Sequence, residues 1–320
     1  MELALQSRSE AAEVGWDEGI SDAQSLIGLA RVHQGHHGEG LADIEQAVEL
    51  AVKTGSIRAV SRAYNSLSVA LLMSGDIEGA YEARREAERS DRRLGSKFQA
   101  AWYESISSDF QYRRGNWREA LEHAERAIGP FEAGSTHYNA AQPYLMRALI
   151  RLAREDETGA VADAEKALDF VGEAGDLQQL SFALPTSAYI FALVSETDRA
   201  REVLRAFLEP FQKGRTMGFA ATTLPVATIA ALHVGLEAEL LSALDAHPET
   251  LWSNVVRAEI AGDFAAAAEL LQRAGAKTDE AEARLHAGTA EQVEQALDFY
   301  HSVGATRFIA EGEALLAAAT

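Results

Sequence analysis

The feature that most restricts the fold of this chain is a set of small residues that returns every 40 positions. One row consists of Gly40, Ala80, Ala120, Ala160, Ala200 and a weaker sixth member, Leu240. A row seven positions later reads Ala47, Ala87, Ala127 and Ala167, with Phe207 as an exception, and a row twelve positions earlier reads Gly28, Ser68, Ser108, Ala148, Ala188 and Thr228. Small residues belong where two backbones approach closely. Three rows in fixed phase therefore predict helix–helix contacts that repeat along the chain.

Turn and cap residues keep the same period. The glycines that follow amphipathic stretches are Gly15, Gly55, Gly95 and Gly175, with Gly134 and Gly214 one place early. Asp76, Asn116 and Asp156 lie where an N-cap accepts the first free amide hydrogens, and Asn116 with Glu119 has the spacing of a capping box. Because no sustained alternation of apolar and polar residues competes, each unit is predicted to be two antiparallel helices of roughly 16 and 14 residues. Such pairs stack into an all-α solenoid.

The second unit carries a resemblance to a known family. Its aromatic, large, small and turn positions are occupied by Tyr64, Leu67, Ser68, Leu71, Gly75, Ile77, Ala80 and Ala87. In this pattern the chain resembles tetratricopeptide repeat proteins, although their usual period is 34 residues and a period of 40 also touches the range of HEAT repeats. The third unit matches through Gly115, Trp117, Ala120 and Ala127, while Glu104 and Ser107 replace apolar residues in its first helix.

The resemblance implies a right-handed superhelix of about seven to eight repeats. Within it, residues 1–240 form the regular 40-residue repeats, with residues 1–14 as a half repeat. Residues 241–320 form shorter, degenerate repeats and a C-terminal capping helix, because the next residues that continue the first row after Leu240 are Ala267 and Ala296, fewer than 40 positions apart. Long repeats of this type resemble the C-terminal regions of bacterial ATP-binding regulators, including LuxR-type activators and ATPase-coupled class III nucleotide cyclases.

Composition excludes several classes of function. The chain has 29 basic and 49 acidic side chains, a net charge of −20, and no Lys/Arg run. A chain this acidic repels a phosphate backbone, so nucleic acid and anionic membranes are poor partners, and a basic protein or peptide is favoured. Cysteine is absent, which removes disulfides and thiol chemistry. The first ten residues, MELALQSRSE, lack the apolar core of a signal peptide, and this predicts a cytoplasmic protein.

Three alternative features have ordinary explanations. One cluster contains possible metal ligands: His33, His36, His37 and Glu39. Gly35 and Gly38 interrupt a helix there, and the segment coincides with the turn between two helices, so exposed histidines are the simpler interpretation. The uncharged stretches 177–195 and 216–236 share one repeat phase, which favours buried solenoid helices over membrane spans. The string from Gly275 to Thr278 lacks the adjacency of a phosphate-binding loop. No cofactor, metal site or catalytic residue is therefore predicted.

The remaining candidate is a binding groove. In tetratricopeptide arrays the first helices line the concave surface, and carrying those positions onto this chain gives Arg62, Asn65, Trp102, Ser105, Asp109, Gln142, Phe182 and Tyr189. Polar residues in otherwise apolar helices must find a partner, which is either a bound segment, water or a neighbouring helix. Trp102 and Tyr189 are aromatic anchors of the type found at interface hot spots, and repeat packing explains them equally well.

Two hypotheses of function follow from these features. The first is a non-catalytic scaffold that recognises a protein, a peptide or a small effector through the groove. The second is a sensory C-terminal portion of a multidomain regulator, in which the solenoid biases a covalently linked ATPase, cyclase or DNA-binding module. A self-contained enzyme would need a closed polar pocket, and the sequence identifies none.

Overall fold

The structure is a computed structural model that describes residues 1–93, 97–133, 139–214 and 220–319. The described residues form eighteen α-helices and one short 3₁₀ turn, and they contain no β-strand. Neighbouring helices pack in adjacent pairs along the chain, which confirms the all-α prediction and is consistent with an α-solenoid. The chain divides into two compact units, which are described separately below.

Unit 1 comprises Met1–Ala100 together with Pro248–Thr250. Its helices are α1 (Glu2–Glu13), α2 (Asp17–His33), α3 (His37–Thr54), α4 (Ile57–Ser74) and α5 (Ile77–Arg92). Each helix packs against the next, and the first helices α2 and α4 also contact one another. Its core includes the buried residues Val32, Ile44, Ala70 and Met73.

Unit 2 comprises Ala101–His247 and Leu251–Thr320. The helices that complete the chain are α6 (Lys97–Arg113), α7 (Trp117–Glu132), α8 (Ala141–Ala153), α9 (Glu157–Ala174), α10 (Leu177–Leu193), α11 (Thr197–Gln212), α12 (Leu224–Val234), α13 (Glu237–Leu244), α14 (Leu251–Ile260), α15 (Phe264–Ala274), α16 (Lys277–Ala287), α17 (Ala290–Val303) and α18 (Thr306–Ala319). The first helices α8, α10, α12 and α14 contact one another in sequence, and α11 contacts the second helix α13. This succession of first helices forms one continuous layer in unit 2.

The small-residue rows lie at the closest helix contacts. Every member of the three rows is buried, including Leu240 and Phe207. At the crossing of α2 and α3, a Cβ atom added to Gly28 would lie 2.5 Å from the carbonyl oxygen of Gly40. At the equivalent crossing of α4 and α5, Ser68 Oγ donates to the carbonyl oxygen of Ala80 at 2.8 Å. The repeat therefore marks where paired helices touch.

Helix ends follow the predicted signals, with one exception. Gly15, Gly55, Gly175 and Gly214 have φ between 61° and 71°, whereas Gly95 and Gly134 lie outside the described residues. Asp76 and Asp156 accept the predicted N-cap hydrogen bonds from the amides of Gly79 and Gly159. The capping box at Asn116 is wrong, because Asn116 makes no side-chain cap bond and its Nδ2 donates to Gln111 Oε1 at 2.8 Å.

Proline positions shape the first helices of the uncharged stretches. Pro225 lies at the start of α12, directly after the 3₁₀ turn Ala221–Thr223. Pro185 lies well inside α10 and has no amide hydrogen to donate to the carbonyl oxygen of Ser181. Thr223 Oγ1 donates to that oxygen instead, at 3.1 Å. None of the helices in the described ranges is long and apolar enough to cross a membrane.

Candidate functional site

In unit 1, the first-helix layer keeps an accessible surface. Arg62 on α4 is half-exposed and forms an ion pair with Asp22 on α2, with Nη1 and Oδ2 2.8 Å apart. Leu26 lies one helical turn after Asp22 and is 53% exposed, which is high for a leucine on a packed helix. We call Asp22, Leu26 and Arg62 the unit 1 face. It combines both charge signs with an apolar side chain, as recognition surfaces do.

Asn65 lies next to the unit 1 face but has a structural contact. Its Oδ1 accepts a hydrogen bond from Nη1 of Arg84, a largely buried residue on the second helix α5. Of the three partners considered for polar groove residues, Asn65 therefore has a neighbouring helix, to which it is hydrogen-bonded. Removing the Asn65 side chain would leave a buried guanidinium without that acceptor, and such losses typically destabilise a fold.

Four of the six predicted groove residues in unit 2 are buried: Ser105, Asp109, Phe182 and Tyr189. Ser105 Oγ donates to the carbonyl oxygen of Asn139 at 3.2 Å and accepts from Asn139 Nδ2 at 3.1 Å. Asp109 Oδ1 accepts from Nε of Arg113 on the same helix at 2.9 Å. A partner would reach these side chains only if the helices that cover them moved. Binding at these four positions therefore stays a prediction.

The other two predicted groove residues of unit 2 are partly buried. Trp102 packs edge-on against Tyr103, with ring centroids 4.8 Å apart. Gln142 Oε1 accepts from Asn139 Nδ2 at 2.9 Å, so it belongs to the same small network as Ser105. Partner binding by Trp102 and Gln142 also stays a prediction.

Helix α16 covers the first-helix layer of unit 2. Tyr189 on α10 donates to Glu282 Oε1 at 2.5 Å. Thr278 Oγ1 accepts from Trp117 Nε1 at 2.9 Å and donates to the carbonyl oxygen of Tyr112 at 2.5 Å. Arg113 Nη1 lies 3.5 Å from Asp279 Oδ2. Three hydrogen bonds and an ion pair thus fix α16 against α6, α7 and α10.

Helices α17 and α18 extend this cover. Arg307 at the start of α18 donates to the carbonyl oxygen of Leu193 at 2.5 Å and pairs with Glu157 at 2.7 Å. Arg154 donates to the carbonyl oxygen of Val303 at 3.2 Å. These contacts place the last helices of unit 2 against the turns at the ends of α8 and α10.

Helices α6, α14 and α16 together carry a group of buried carboxyl side chains. We call Asp109, Glu259, Asp279 and Glu282, together with Arg113, the acidic centre. Burial raises the pKa of Asp279 to about 6 and that of Glu282 to about 8. Burial, reinforced by Glu282, raises the pKa of Glu259 well above its usual range. One guanidinium cannot neutralise four carboxylates, so the centre holds protons near neutral pH.

The acidic centre is suited to structure more than to catalysis. Glu259 and Asp279 are 2% and 4% exposed, so no substrate reaches them in this conformation. Oε2 of Glu259 and Oδ2 of Asp279 make no hydrogen bond among the described residues. Acid–base catalysis needs a titratable group within reach of a reacting atom. The centre instead couples the packing of α6, α14 and α16 to protonation.

A cavity of about 240 Å³ is lined by residues of α12, α15 and α16. It is lined by Ile229, Leu232, His233, Phe264 and His286. His233 Nδ1 lies 2.8 Å from the carbonyl oxygen of Ile229, and the rings of His286 and Phe264 pack with centroids 5.2 Å apart. Burial lowers the pKa of His286 to about 4, so its imidazole is neutral at physiological pH.

Sequence reasoning missed most residues of the acidic centre and the cavity for a physical reason. Asp109 was predicted because it lies in the regular 40-residue phase. Glu259, Asp279 and Glu282 lie beyond residue 240, where the 40-residue period of the sequence assigns no helix face. The one available signal was Arg113, which stands four residues after Asp109 and therefore on the same helix face.

The histidine turn of unit 1 has a simple arrangement. His37 Nδ1 lies 2.8 Å from Ser74 Oγ, while His33 and His36 are exposed. In the part of the chain that the structure describes, no group of three or more His, Asp or Glu side chains is arranged to hold a metal ion.

Comparison with known proteins adds no family to this description. No protein-family model matches the chain, and no curated protein gives a significant sequence match. The function is therefore inferred from the surfaces and contacts of the two units.

Proposed function

We propose that this chain is a non-catalytic recognition scaffold of the tetratricopeptide type, which binds a protein or peptide segment in the cytoplasm. The proposed array is a right-handed superhelix of about seven to eight repeats. The observation that carries the proposal is the unit 1 face, where a half-exposed ion pair and an exposed leucine lie on adjacent first helices. A segment that crosses α2 and α4 would place an apolar side chain on Leu26 and a polar group on Arg62.

Charge supports a basic partner. A net charge of −20 attracts cationic segments over distances of the order of a Debye length, about 10 Å at 0.1 M salt. At short range, Arg62 and Asp22 provide both signs and so select the register of the bound segment. The association rate with a basic partner should therefore fall as salt rises.

A sensory role within a larger regulator is the second candidate. It is favoured by the exposure of large apolar residues in the half repeat and directly after it: Leu3 is 78%, Val14 76% and Trp16 57% exposed. Exposed apolar surface of this kind is typical of a repeat that stacks on another. The resemblance to the repeat regions of ATP-binding regulators points in the same direction. Sequencing the reading frame upstream of Met1 separates the two candidates.

A charge reversal on the unit 1 face tests the scaffold. A partner is first captured from native lysate, identified by mass spectrometry and purified, and its affinity is then measured by calorimetry. Arg62→Glu should weaken binding by about tenfold or more, the effect of one interface charge pair. The free energy of unfolding should change by less than about 1 kcal/mol, because the pair with Asp22 is half-exposed.

The matched control is Arg89→Glu, which makes the same charge change on the exposed side of α5. It should leave the affinity within about twofold of the parent. Equal losses for both variants would reassign the effect to net charge, and an unchanged affinity for Arg62→Glu would remove the unit 1 face from the interface. Asn65 is left intact, since its contact with Arg84 would confuse binding with stability.

A further inference from the structure

The cavity lined by α12, α15 and α16 has the composition of a small-molecule site. Its apolar wall is formed by Ile229, Leu232 and Phe264, and its polar side-chain atoms come from two imidazoles, one on α12 and one on α16. A volume of about 240 Å³ lies below the range that holds drug-sized ligands, roughly 300–1,000 Å³, so the cavity fits a smaller molecule.

The lining residues select an uncharged ligand. None of the five side chains carries a carboxylate, an ammonium or a guanidinium group. Burial lowers the pKa of His286 to about 4, so this imidazole brings no charge to the cavity at neutral pH. A charged group that entered the cavity would lose part of its hydration and would gain no counter-charge from the wall. The cavity therefore disfavours anions and cations alike.

One imidazole nitrogen is fixed as a hydrogen-bond acceptor. His233 Nδ1 lies 2.8 Å from the carbonyl oxygen of Ile229, and a carbonyl oxygen can only accept a hydrogen bond. Nδ1 therefore carries the proton, and the lone pair of the neutral ring is on Nε2, on the side of the ring away from that carbonyl. This atom accepts a hydrogen bond from an O–H group and offers nothing to an ether or a carboxylate oxygen.

The second imidazole suits the same chemical group. Neither ring nitrogen of His286 makes a hydrogen bond with the described residues, and a neutral imidazole has one N–H group and one lone pair. A hydroxyl group both donates and accepts, so it can bond to either nitrogen of this ring as well as to Nε2 of His233. The polar atoms of the cavity therefore favour a ligand with a hydroxyl group.

The apolar wall fits a flat ring. Phe264 and His286 pack with ring centroids 5.2 Å apart and ring planes inclined by 33°. Aromatic rings attract one another in offset or edge-on contacts with centroids about 4.5–7 Å apart, so a further ring can extend this pair. Ile229 is buried, whereas Leu232 remains 37% exposed at the rim and can cover the ring of a ligand.

We propose that this cavity binds a small uncharged phenol, a single aromatic ring that carries a hydroxyl group. The hydroxyl group donates to Nε2 of His233 and can accept from the imidazole N–H of His286, and the ring packs on Ile229, Leu232 and Phe264. This site belongs to unit 2 and is independent of the unit 1 face.

The test uses 4-methylphenol as the probe and the full chain as the protein. Imidazole NMR signals of His233 and His286 should shift saturably with this phenol. Its methyl ether, 4-methylanisole, keeps the ring and loses the donor, so it should bind about fivefold more weakly or worse, the effect of one hydrogen bond. Equal affinity for the phenol and the ether, or no saturable shift with the phenol, would overturn the proposal.

Charged analogues test the selection of an uncharged ligand. The cation 4-methylbenzylamine and the anion 4-methylbenzoate should both bind more weakly than 4-methylphenol, because no lining side chain compensates for their charge. Tighter binding of either analogue than of the phenol contradicts the proposal.

Two histidine variants locate the hydroxyl group. His233→Phe keeps an aromatic ring and removes the acceptor, so it should weaken 4-methylphenol about fivefold and leave the affinity for 4-methylanisole within about twofold. His301→Phe makes the same change at an exposed histidine of α17 outside the cavity and should leave both affinities unchanged. Thermal unfolding midpoints close to the parental one verify that both variants are folded. An unchanged affinity of His233→Phe for 4-methylphenol overturns the proposal, and if this variant does not fold, the comparison of phenol and ether on the parent decides.

Discussion

At the scale of single residues, the turn between the two helices of a repeat requires one residue with a left-handed backbone conformation. Gly35, Gly75, Gly115 and Gly235 occupy one position of the 40-residue period, with φ between 70° and 87°. Glu155 and Ser195 occupy the same position with φ of 64° and 67°. For a residue with a Cβ atom, this left-handed conformation costs about 1–2 kcal/mol. The repeat therefore contains two strained turns.

Replacing these residues by glycine should stabilise unit 2. Both side chains are exposed, so Glu155→Gly and Ser195→Gly remove little packing. Each should raise the free energy of unfolding by about 0.5–1 kcal/mol, the relief of strain minus the entropy that glycine adds to the unfolded chain. Chemical denaturation of each variant measures the gain.

Gly235→Ala is the reverse substitution in the same unit. An added Cβ atom meets nothing within 4 Å there, so the variant isolates the backbone cost. It should lower stability by about 1 kcal/mol. A gain in stability for Gly235→Ala, or a loss for Glu155→Gly, would show that the left-handed φ at this position does not determine the stability of the turn.

At the scale of helices, Gly28 and Gly40 fix how closely α2 approaches α3. A Cβ atom at Gly28 would lie 2.5 Å from both Gly40 O and Ile44 Cγ1, which is far inside van der Waals contact. Gly28→Ala should therefore destabilise unit 1 by about 1–3 kcal/mol, the usual cost of overpacking. Thermal unfolding followed by circular dichroism measures the loss.

Gly38→Ala is the control on α3. Its added Cβ atom has open space, and its conformation is not left-handed, so stability should hold or rise slightly. Equal behaviour of Gly28→Ala and Gly38→Ala would mean that the small-residue rows do not set the helix spacing.

Prediction from sequence succeeded where structure depends on neighbours along the chain. Ser68 and Ala80 stand twelve positions apart, and their contact recurs as a local crossing that a 40-residue period reveals. The contact between Tyr112 and Thr278 joins residues 166 positions apart. No periodicity specifies such a contact, because α16 lies beyond residue 240, where the 40-residue period of the sequence ends. The pairing of helices was therefore predictable, while the burial of Asp109 and Tyr189 under α16 was not.

At the scale of the whole molecule, the acidic centre links stability to pH. The folded pKa of Glu282 is about 8 and the ordinary value is 4.5, so between these values the folded state binds more protons than the unfolded state. Stability then falls as pH rises through this window. The lowered pKa of His286 acts only below about pH 6.5, since above it the imidazole is neutral in both states. Glu282 therefore acts from about pH 6.5 to 8, and Glu259, whose pKa burial also raises well above its usual range, acts in the same direction.

The expected loss between pH 6.5 and 8.5 is about 1–2 kcal/mol of unfolding free energy. Tyr189, Asp279 and Glu311 all act on the pKa of Glu282. Glu282→Gln removes the titrating carboxyl group and keeps a side-chain oxygen that can accept the hydrogen bond from Tyr189. The loss of unfolding free energy between the two pH values should become smaller in this variant, and what remains is the part that Glu259 contributes. Glu294→Gln, on the exposed side of α17, should retain the parental slope. A pH dependence as steep as the parental one in Glu282→Gln would place its origin elsewhere.

The bond between Thr278 and Tyr112 also bears on biosynthesis. Residues 112 and 278 leave the ribosome about 8 to 33 seconds apart at 5–20 residues per second. During that interval Tyr112 and Trp117 lack their contacts with α16. The nascent chain therefore passes through a stage in which it is vulnerable to aggregation and accessible to chaperones, and α16 ends that stage.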